Sequence, residues 1–320
     1  MKAIRVSTPG AVQLVELPQP QAAPGELLVR VGQAGLCATD RKLVARGADP
    51  PRIPGHEVAG YLEDGRAVGL HPDLGCGECG WCLAGWQNRC PERVSIGLDR
   101  DGGLAEWVSV PGSHAVELQG VPMEIAPLLE PLACCVHAVS QLEVEPGTPA
   151  LVVGAGSMGI LSLWALQAAG ARVVVAQRSL SRRRLAAELG AEGVLDPEDD
   201  PADLLGEPPK AAVVTAPSAS ALSWALERVA VGGWVQALAG IPEGGAVDPN
   251  LIHYRHLRLV GSTGSTVSDY VTARRLVADG TVKLDRLPVS TISLEEAPET
   301  LRREPDVLPL KVLVTIGEKP

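Results

Sequence analysis

Four cysteines stand in the run Cys76-x2-Cys79-x2-Cys82-x7-Cys90. Short loops between thiolates bend them toward one point, and four sulfur donors close a tetrahedral zinc site with no open position. Such a site is structural, because it folds a loop that has few apolar residues of its own. Iron–sulfur runs of the form C-x2-C-x2-C-x3-C-P are close to this one, and Pro91 follows Cys90. The last spacing here is seven rather than three and there is no second cluster motif, which favours zinc. Two further segments carry metal-type side chains: Gly35-Leu36-Cys37-Ala38-Thr39-Asp40 and Pro54-Gly55-His56-Glu57. Each alone is bland, since a lone Cys or His is more often packed than ligating.

A second chemistry is written in backbone. Pro149-Ala150-Leu151-Val152-Val153 leads into Gly154-Ala155-Gly156-Ser157-Met158-Gly159 and then into a helical pattern. A lone G-x-G-x-x-G says little, but this one follows a strand, opens a helix and begins a βαβ unit, the context a dinucleotide site requires. Gly154 permits the tight turn, Gly156 lets the backbone approach a pyrophosphate, and Gly159 lets the helix pack on the strand. Ser157 and Met158 begin the helix whose N–H groups would face the phosphates. At the end of the second strand, where an NAD site carries Asp or Glu, the chain reads Ala176-Gln177-Arg178-Ser179, followed by Arg182-Arg183-Arg184. No carboxylate is present, and a guanidinium can fork onto a 2′-phosphate. NADP is therefore the expected cofactor, with NAD as the alternative, and at least one of the three successive arginines is expected on the solvated face of the next helix.

The elements that must position these residues divide the chain in two. The first 130 or so residues read as β-rich, with short runs such as Glu26–Val31 and Ala59–Leu62 between Pro- and Gly-containing turns. From about residue 149, strand runs at 151–153, 172–176, 211–215, 234–238 and 257–260 alternate with helical patterns at 158–169, 181–189 and 219–229. That alternation predicts a doubly wound parallel sheet. A helix at 268–279 and closing strands near Thr291 and at 311–315 complete the chain.

Composition excludes other classes. Over 320 residues the chain is 46% apolar and 21% charged, with seven Cys, which rules out disorder and a disulfide scaffold. A net charge of −10 argues against nucleic acid or an anionic membrane as partner. The uncharged stretch 149–171 contains the glycine turn, so a buried strand–turn–helix is the better reading than a membrane span. The N-terminal residues lack the apolar core of a signal peptide, and a cytoplasmic location is expected. Phe is absent, so aliphatic residues must fill the cores.

Taken in order and spacing, C-x-T-D, G-H-E, the four-cysteine lobe, Glu130-Pro131-Leu132-Ala133, G-A-G-S-M-G and the closing Lys311-Val312-Leu313 make the chain resemble the zinc-dependent medium-chain alcohol dehydrogenases. The resemblance runs over essentially the whole length and is nearest to the polyol, threonine and glucose dehydrogenase-like branch. It implies an α/β fold: a Rossmann doubly wound parallel sheet at 135–262, and a GroES-like β-rich catalytic domain at 1–134 and 263–320 with a structural zinc lobe at about 74–92. It implies two zinc ions, one structural on Cys76, Cys79, Cys82 and Cys90, and one catalytic. Cys37, His56 and Glu130 match catalytic ligand positions, and Glu57 matches a carboxylate that ligates in some members. Three protein ligands leave one position for water or substrate. Asp40 matches the acceptor of the other His56 ring N–H.

Further roles follow from the same resemblance. Thr39 matches the hydroxyl that takes the alcohol proton before a hydride passes to the nicotinamide. Lys311 matches a basic position that contacts cofactor phosphate. Lys42 stands five residues after Cys37, where many relatives carry a His that ends the proton relay. Cys134 and Cys135 are expected as buried thiols, and His114 and His137 as packing or surface residues. Substrate and zinc are expected in the cleft between the domains, and the chain as a homodimer or homotetramer joined near 257–260. The leading function is an alcohol or polyol dehydrogenase acting with NAD(P) on a small-molecule alcohol, polyol or sugar. An aldose dehydrogenase of the glucose type is the alternative within enzymes, and a non-catalytic zinc-binding interaction protein the alternative outside them. If the lobe holds zinc, the purified protein is colourless and elemental analysis finds zinc; a brown, iron-containing protein overturns that assignment.

Overall fold

The computed structural model describes residues 1–241, 244–303 and 307–317. Its contacts divide the chain into two compact units, Met1–Ala133 with Ser265–Pro320, and Cys134–Gly264. Against the expected boundaries, Cys134, Thr263 and Gly264 go with the second unit.

In the first unit, the eleven-residue strand Glu26–Leu36 is the spine. Its first half pairs with Trp107–Pro111 (Arg30 opposite Trp107) and its second half with Glu57–Tyr61 and, on the other side, Lys311–Thr315. The sheet continues through Ala67–Leu70 to Ala115–Glu117 at one edge and Val289–Ser293 at the other. Alternate residues Val29 and Val31 enter an aliphatic core with Val58, Val68, Leu70, Val108 and Val110. A second core, from Ile4, Leu36, Leu43, Leu301 and Val314, ties the N-terminal strand pair and two helices to the same sheet.

The first 130 residues are less uniformly β than their texture suggests. Cys37 begins the helix Ala38–Arg46, and Leu129–Ser140 forms a twelve-residue helix across the boundary of the two units. The first of these starts because Asp40, its third residue, accepts the backbone N–H of Cys37 at 2.8 Å, as a capping carboxylate does.

The second unit is a six-stranded, wholly parallel sheet. Its order is Gly193–Leu195, Arg172–Ala176, Pro149–Val153, Ala211–Val214, Trp234–Ala237, Arg258–Gly261. This is the expected doubly wound arrangement, with Gly193–Leu195 as a strand the sequence pattern did not reveal. The chain reverses its direction of growth at Pro149–Val153, whose neighbours are the second and fourth strands of the unit, and ligand sites form at that point in such sheets. The uncharged stretch 149–171 becomes a fully buried strand and the helix Ser157–Ala168. No helix among the described residues is long and apolar enough to cross a membrane.

At the start of the spine, Glu26 accepts from Arg100 at 2.7 Å and from the Ser109 hydroxyl at 2.5 Å. The Arg100 hydrogen bond is the main reason its carboxyl titrates at about 2 rather than 4.5. The native state therefore holds fewer protons here than the unfolded chain. This stabilisation is fully present above pH 4.5 and is lost as the pH falls toward 2. Glu26→Gln should lower the unfolding midpoint at neutral pH and narrow its gap to the parent chain across that acid window, as measured by thermal unfolding at a series of pH values.

Candidate active site

Strand register assembles the first cluster. Gly35 lies opposite Glu57 on one side and Leu313 on the other, so the end of the spine delivers Cys37 beside Glu57 and Lys311. Gly35 has to be glycine: a Cβ there would stand 2.1 Å from Glu57 Oε2. Asp40, wholly buried, draws the pieces together, accepting from the N–H groups of Cys37 at 2.8 Å and Gly55 at 3.1 Å. Its Oδ1 also lies 3.5 Å from His56 Nδ1. Burial raises the cost of the Asp40 charge, but His56 outweighs it and keeps the carboxyl below its usual range.

The ligand-type atoms of Cys37, His56 and Glu57 all lie within 4.8 Å of one another. Glu57 Oε1 accepts from Lys311, while Oε2 is buried without a hydrogen-bond partner. A buried carboxylate oxygen left in this way, beside a thiol and an imidazole, is a donor set that fits a divalent cation of zinc's softness. Thr39 is half-buried, its hydroxyl 3.7 Å from Cys37 Sγ.

Glu130 does not join that set. It lies buried in the first turn of Leu129–Ser140, and burial, reinforced by the charges of Glu57 and Asp73, pushes its carboxyl up to about 7. Glu57, with Lys311 directly on it, is the carboxylate that stands with Cys37 and His56.

Lys311 corrects the expectation of a phosphate contact. Its side chain is 6% exposed and its ammonium is spent on Glu57. Burial lowers the pKa of such an ammonium, yet Glu57 and then Cys37 outweigh that and hold it charged. Lys42 is exposed. Of the two adjacent thiols, Cys135 is buried, accepting from Ser162 at 3.4 Å, whereas Cys134 is only half-buried. His114 is buried, with ring contacts to the Asp73 carbonyl at 3.2 Å and Ser113 at 3.0 Å.

The four lobe sulfurs also lie within 4.8 Å of one another. Backbone N–H groups point at them: Cys76 to Cys90 at 3.4 Å, Cys79 to Cys76 at 3.4 Å, Cys82 to Cys79 at 3.5 Å. N–H donors from Glu78 and Cys79 draw the Cys76 thiol down to about 7, toward the thiolate a metal needs. Cys76 and Cys82 sulfurs are 4.0 Å apart, against roughly 3.8 Å for the edge of a tetrahedron with zinc–sulfur bonds. The short helix Gly80–Leu83 buries none of its residues, so apolar packing does not account for this lobe's shape.

In the second unit, a cavity of about 550 Å³ opens at the carboxyl ends of the strands. Gly154 turns with φ of 108°, its N–H donating to the Ala176 carbonyl. Gly156, the N-cap of Ser157–Ala168, has nothing within 4 Å of where a Cβ would lie, so a ligand can reach the backbone. At Gly159 a Cβ would stand 2.0 Å from the Gly154 carbonyl oxygen. Ser157, Met158, Gln177, Arg178 and Arg182 line the cavity, and the described lining holds no carboxylate. Ser179 lies behind Gln177, its N–H donating to Gln177 Oε1 at 3.1 Å. Arg183 is paired with Asp196 instead, and Arg184 is exposed. Thr215, Ser218, Ser220 and Trp224 also line the cavity and were not singled out from sequence. The signal that finds them is position, since they follow the strand next to Pro149–Val153 in the sheet.

Residues 23–120 match the alcohol dehydrogenase GroES-like domain and residues 157–279 the zinc-binding dehydrogenase domain. The L-galactonate-5-dehydrogenase of Escherichia coli (strain K12) is 30% identical over 312 residues, 90% of either chain. The chain belongs to the zinc-binding alcohol dehydrogenase family. The L-threonine 3-dehydrogenase of Pyrococcus horikoshii is 31% identical over 89% of either chain. A Sinorhizobium meliloti 1021 protein assigned to the zinc-binding dehydrogenases and crystallised with NADP superposes with a TM-score of 0.90. It is 32% identical over 98% of both chains. The fold is thus that of the zinc-binding alcohol dehydrogenases: a GroES-like domain and a Rossmann-like α/β sheet.

The tightest backbone contact of the site is open to test. Gly159→Ala should destabilise the protein by about 1–3 kcal/mol, the usual range for forcing a methyl group into filled space. It should also weaken dinucleotide binding, read by quenching of tryptophan fluorescence. Parent-like stability and affinity would show that the turn relaxes.

Proposed function

We propose that this zinc-binding dehydrogenase oxidises a secondary alcohol in a polyol or polyhydroxy acid, using NADP in preference to NAD. The carrying observation is the convergence of Cys37, His56 and Glu57 ligand atoms within 4.8 Å, with Glu57 Oε2 buried and unpartnered. These three would hold a catalytic zinc, with Glu130 as the further carboxylate nearby, and Cys76, Cys79, Cys82 and Cys90 would hold a structural one. When bound, zinc supplies Lewis-acid polarisation of an alcohol oxygen and the dinucleotide supplies a hydride acceptor.

The chain's own groups do the rest. Asp40 faces His56 Nδ1 at 3.5 Å, the side of the ring on which a carboxylate leaves Nε2 for a metal. Lys311 holds one oxygen of Glu57, while the second oxygen is buried without a hydrogen-bond partner. Thr39, half-buried beside Cys37, offers the hydroxyl that takes the substrate proton. Lys42, exposed at the surface of the same helix, is not built into a buried relay behind it.

Substrate class rests on the relatives. Galactonate at C5, threonine at C3 and altritol at C5 are all interior, secondary carbinol positions, and the enzymes named for them are 30–37% identical to this chain. Cofactor choice rests on the carboxylate-free lining with Arg178 and Arg182 in it, and on the NADP-bound relative. An interaction protein without catalysis would have no use for a thiol, imidazole and carboxylate gathered around an unpartnered oxygen.

A screen of polyols, sugar acids, threonine and simple secondary alcohols with each cofactor tests the reading. Turnover is expected on an interior secondary alcohol, with the higher kcat/KM on NADP. Cys37→Ser should abolish turnover and remove one of two zinc ions while the lobe zinc stays. Retained turnover in Cys37→Ser would sink the assignment.

A further inference from the structure

The walls of the dinucleotide cavity come from either side of the strand Pro149–Val153. On one side Gln177, Arg178, Arg182 and Pro197 follow the strands Arg172–Ala176 and Gly193–Leu195. Among the described residues, none that follows Trp234–Ala237 or Arg258–Gly261 lines it. The cavity is therefore the adenosine end of the site, because in such sheets the group that meets the adenosine ribose follows the second strand.

The other wall is the helix Ala219–Arg228, which presents Ser220, Ala221 and Trp224. Trp224 is the one aromatic ring among the described lining residues. Long side chains on a helix lean toward its N-terminus, so this ring lies over the turn of Ser220 and Ala221, at the cavity. Arg228, one helical turn further on, lays its guanidinium over the indole, 5.0 Å from the ring centre, and steadies it. The indole Nε1–H is buried and donates to no group among the described residues. Trp224 also packs against the aliphatic core of this unit. A leucine or methionine would do that without burying a donor, and buried donors in native proteins are almost always paired.

Adenine explains what packing does not. It is planar and uncharged, so neither the glycine turn, which suits phosphate, nor a guanidinium suited to a 2′-phosphate supplies its main contact. Bases bind chiefly by stacking on aromatic faces, and their ring nitrogens accept hydrogen bonds. We propose that Trp224 is the adenine platform of this cavity, one face of the indole stacking on the base while Arg228 backs the other. The proposal rests on the dinucleotide reading above and adds a residue outside both the glycine motif and the arginines.

The test measures binding of 2′-phospho-ADP-ribose and of ADP-ribose, by calorimetry, to the full-length parent, Trp224→Phe and Trp224→Leu. These probes carry the adenosine end without the nicotinamide. Trp224→Leu should bind 2′-phospho-ADP-ribose more weakly, on the order of 10-fold, the usual worth of one stacked base. Trp224→Phe keeps a ring and should lose about 3-fold, from the indole N–H alone. The parent's tryptophan emission should fall on binding, and most of that fall should vanish in Trp224→Phe. Parent-like affinity in Trp224→Leu would overturn the proposal, and so would equal losses in the two variants, which would leave the ring no role. Should Trp224→Leu not fold, the emission decides, because an undiminished fall in Trp224→Phe overturns the proposal too. A parent that prefers ADP-ribose, with the loss in Trp224→Leu intact, refutes the preference for NADP and upholds the stacking. A parent that binds neither probe overturns the dinucleotide reading, and the Trp224 proposal with it.

Discussion

Lys311 and Glu57, 254 residues apart in sequence, form an ion pair that is almost wholly buried. Taking two charges out of water costs several kcal/mol each, and the pair is tolerable only because its geometry is enforced from outside. The enforcement is the spine strand Glu26–Leu36, hydrogen-bonded to the strand that begins with Glu57 and to the strand that begins with Lys311. Removing either partner would leave the other charge buried alone, a loss of about 3–5 kcal/mol in comparable cases. The arrangement also has a chemical consequence. Lys311 pairs with Glu57 from one side, which leaves the other side of the carboxylate to the Cys37 thiol and the His56 imidazole.

The two sulfur-containing sites solve opposite problems. Around Cys37 the protein supplies the order: Asp40 bonds two backbone N–H groups and faces His56, and the surrounding sheet is apolar on both sides. The three ligand-type side chains are held together there by the protein itself. The lobe has no such scaffold, with no buried residue in its short helix and with Trp81 and Leu83 exposed. There apolar packing supplies little of the order, and the N–H groups aimed at three of the sulfurs are what a thiolate cluster requires. The dinucleotide cavity uses neither device. It is shaped by the glycine turn, with Gln177, Arg178 and Arg182 among the side chains that line it.

Features governed by local geometry were legible in the sequence. The glycine loop is one: Gly159 answers to the Gly154 carbonyl and Gly154 to Thr215 after the adjoining strand, while Gly156 stands open to the cavity. The lobe is another, since its spacing alone brings four sulfurs together. What escaped depends on distant pairings. Lys311 matches a phosphate-contacting position by resemblance, and only the antiparallel register shows it placed against Glu57. Glu130 matches a ligand position in sequence, and the structure shows it on a helix of its own, outside the three-residue cluster of Cys37, His56 and Glu57. The helix after Cys37 was hidden in a β-rich texture because its start depends on one side chain, Asp40, bonding back to the Cys37 N–H. Among the arginines, only the fold could tell that Arg182 faces the cavity while Arg183 is spent on Asp196.

The absence of Phe acquires a physical meaning from where the remaining aromatics sit. Four of the six Trp rings carry an arginine over their faces: Arg89 on Trp81 and Trp86, Arg228 on Trp224 and Arg258 on Trp234. Trp164, which is buried, donates its indole N–H to the Leu189 carbonyl at 3.0 Å. In these places the ring is used for its π-face or its polar edge, the two properties beyond bulk that a tryptophan brings, and aliphatic side chains fill the cores. A chain that spends aromatic rings in this way has little use for a purely apolar one. Tyr270 alone among the largest fully buried side chains of the described residues is aromatic, its ring edge-on to His71 and packed over the bare Gly69.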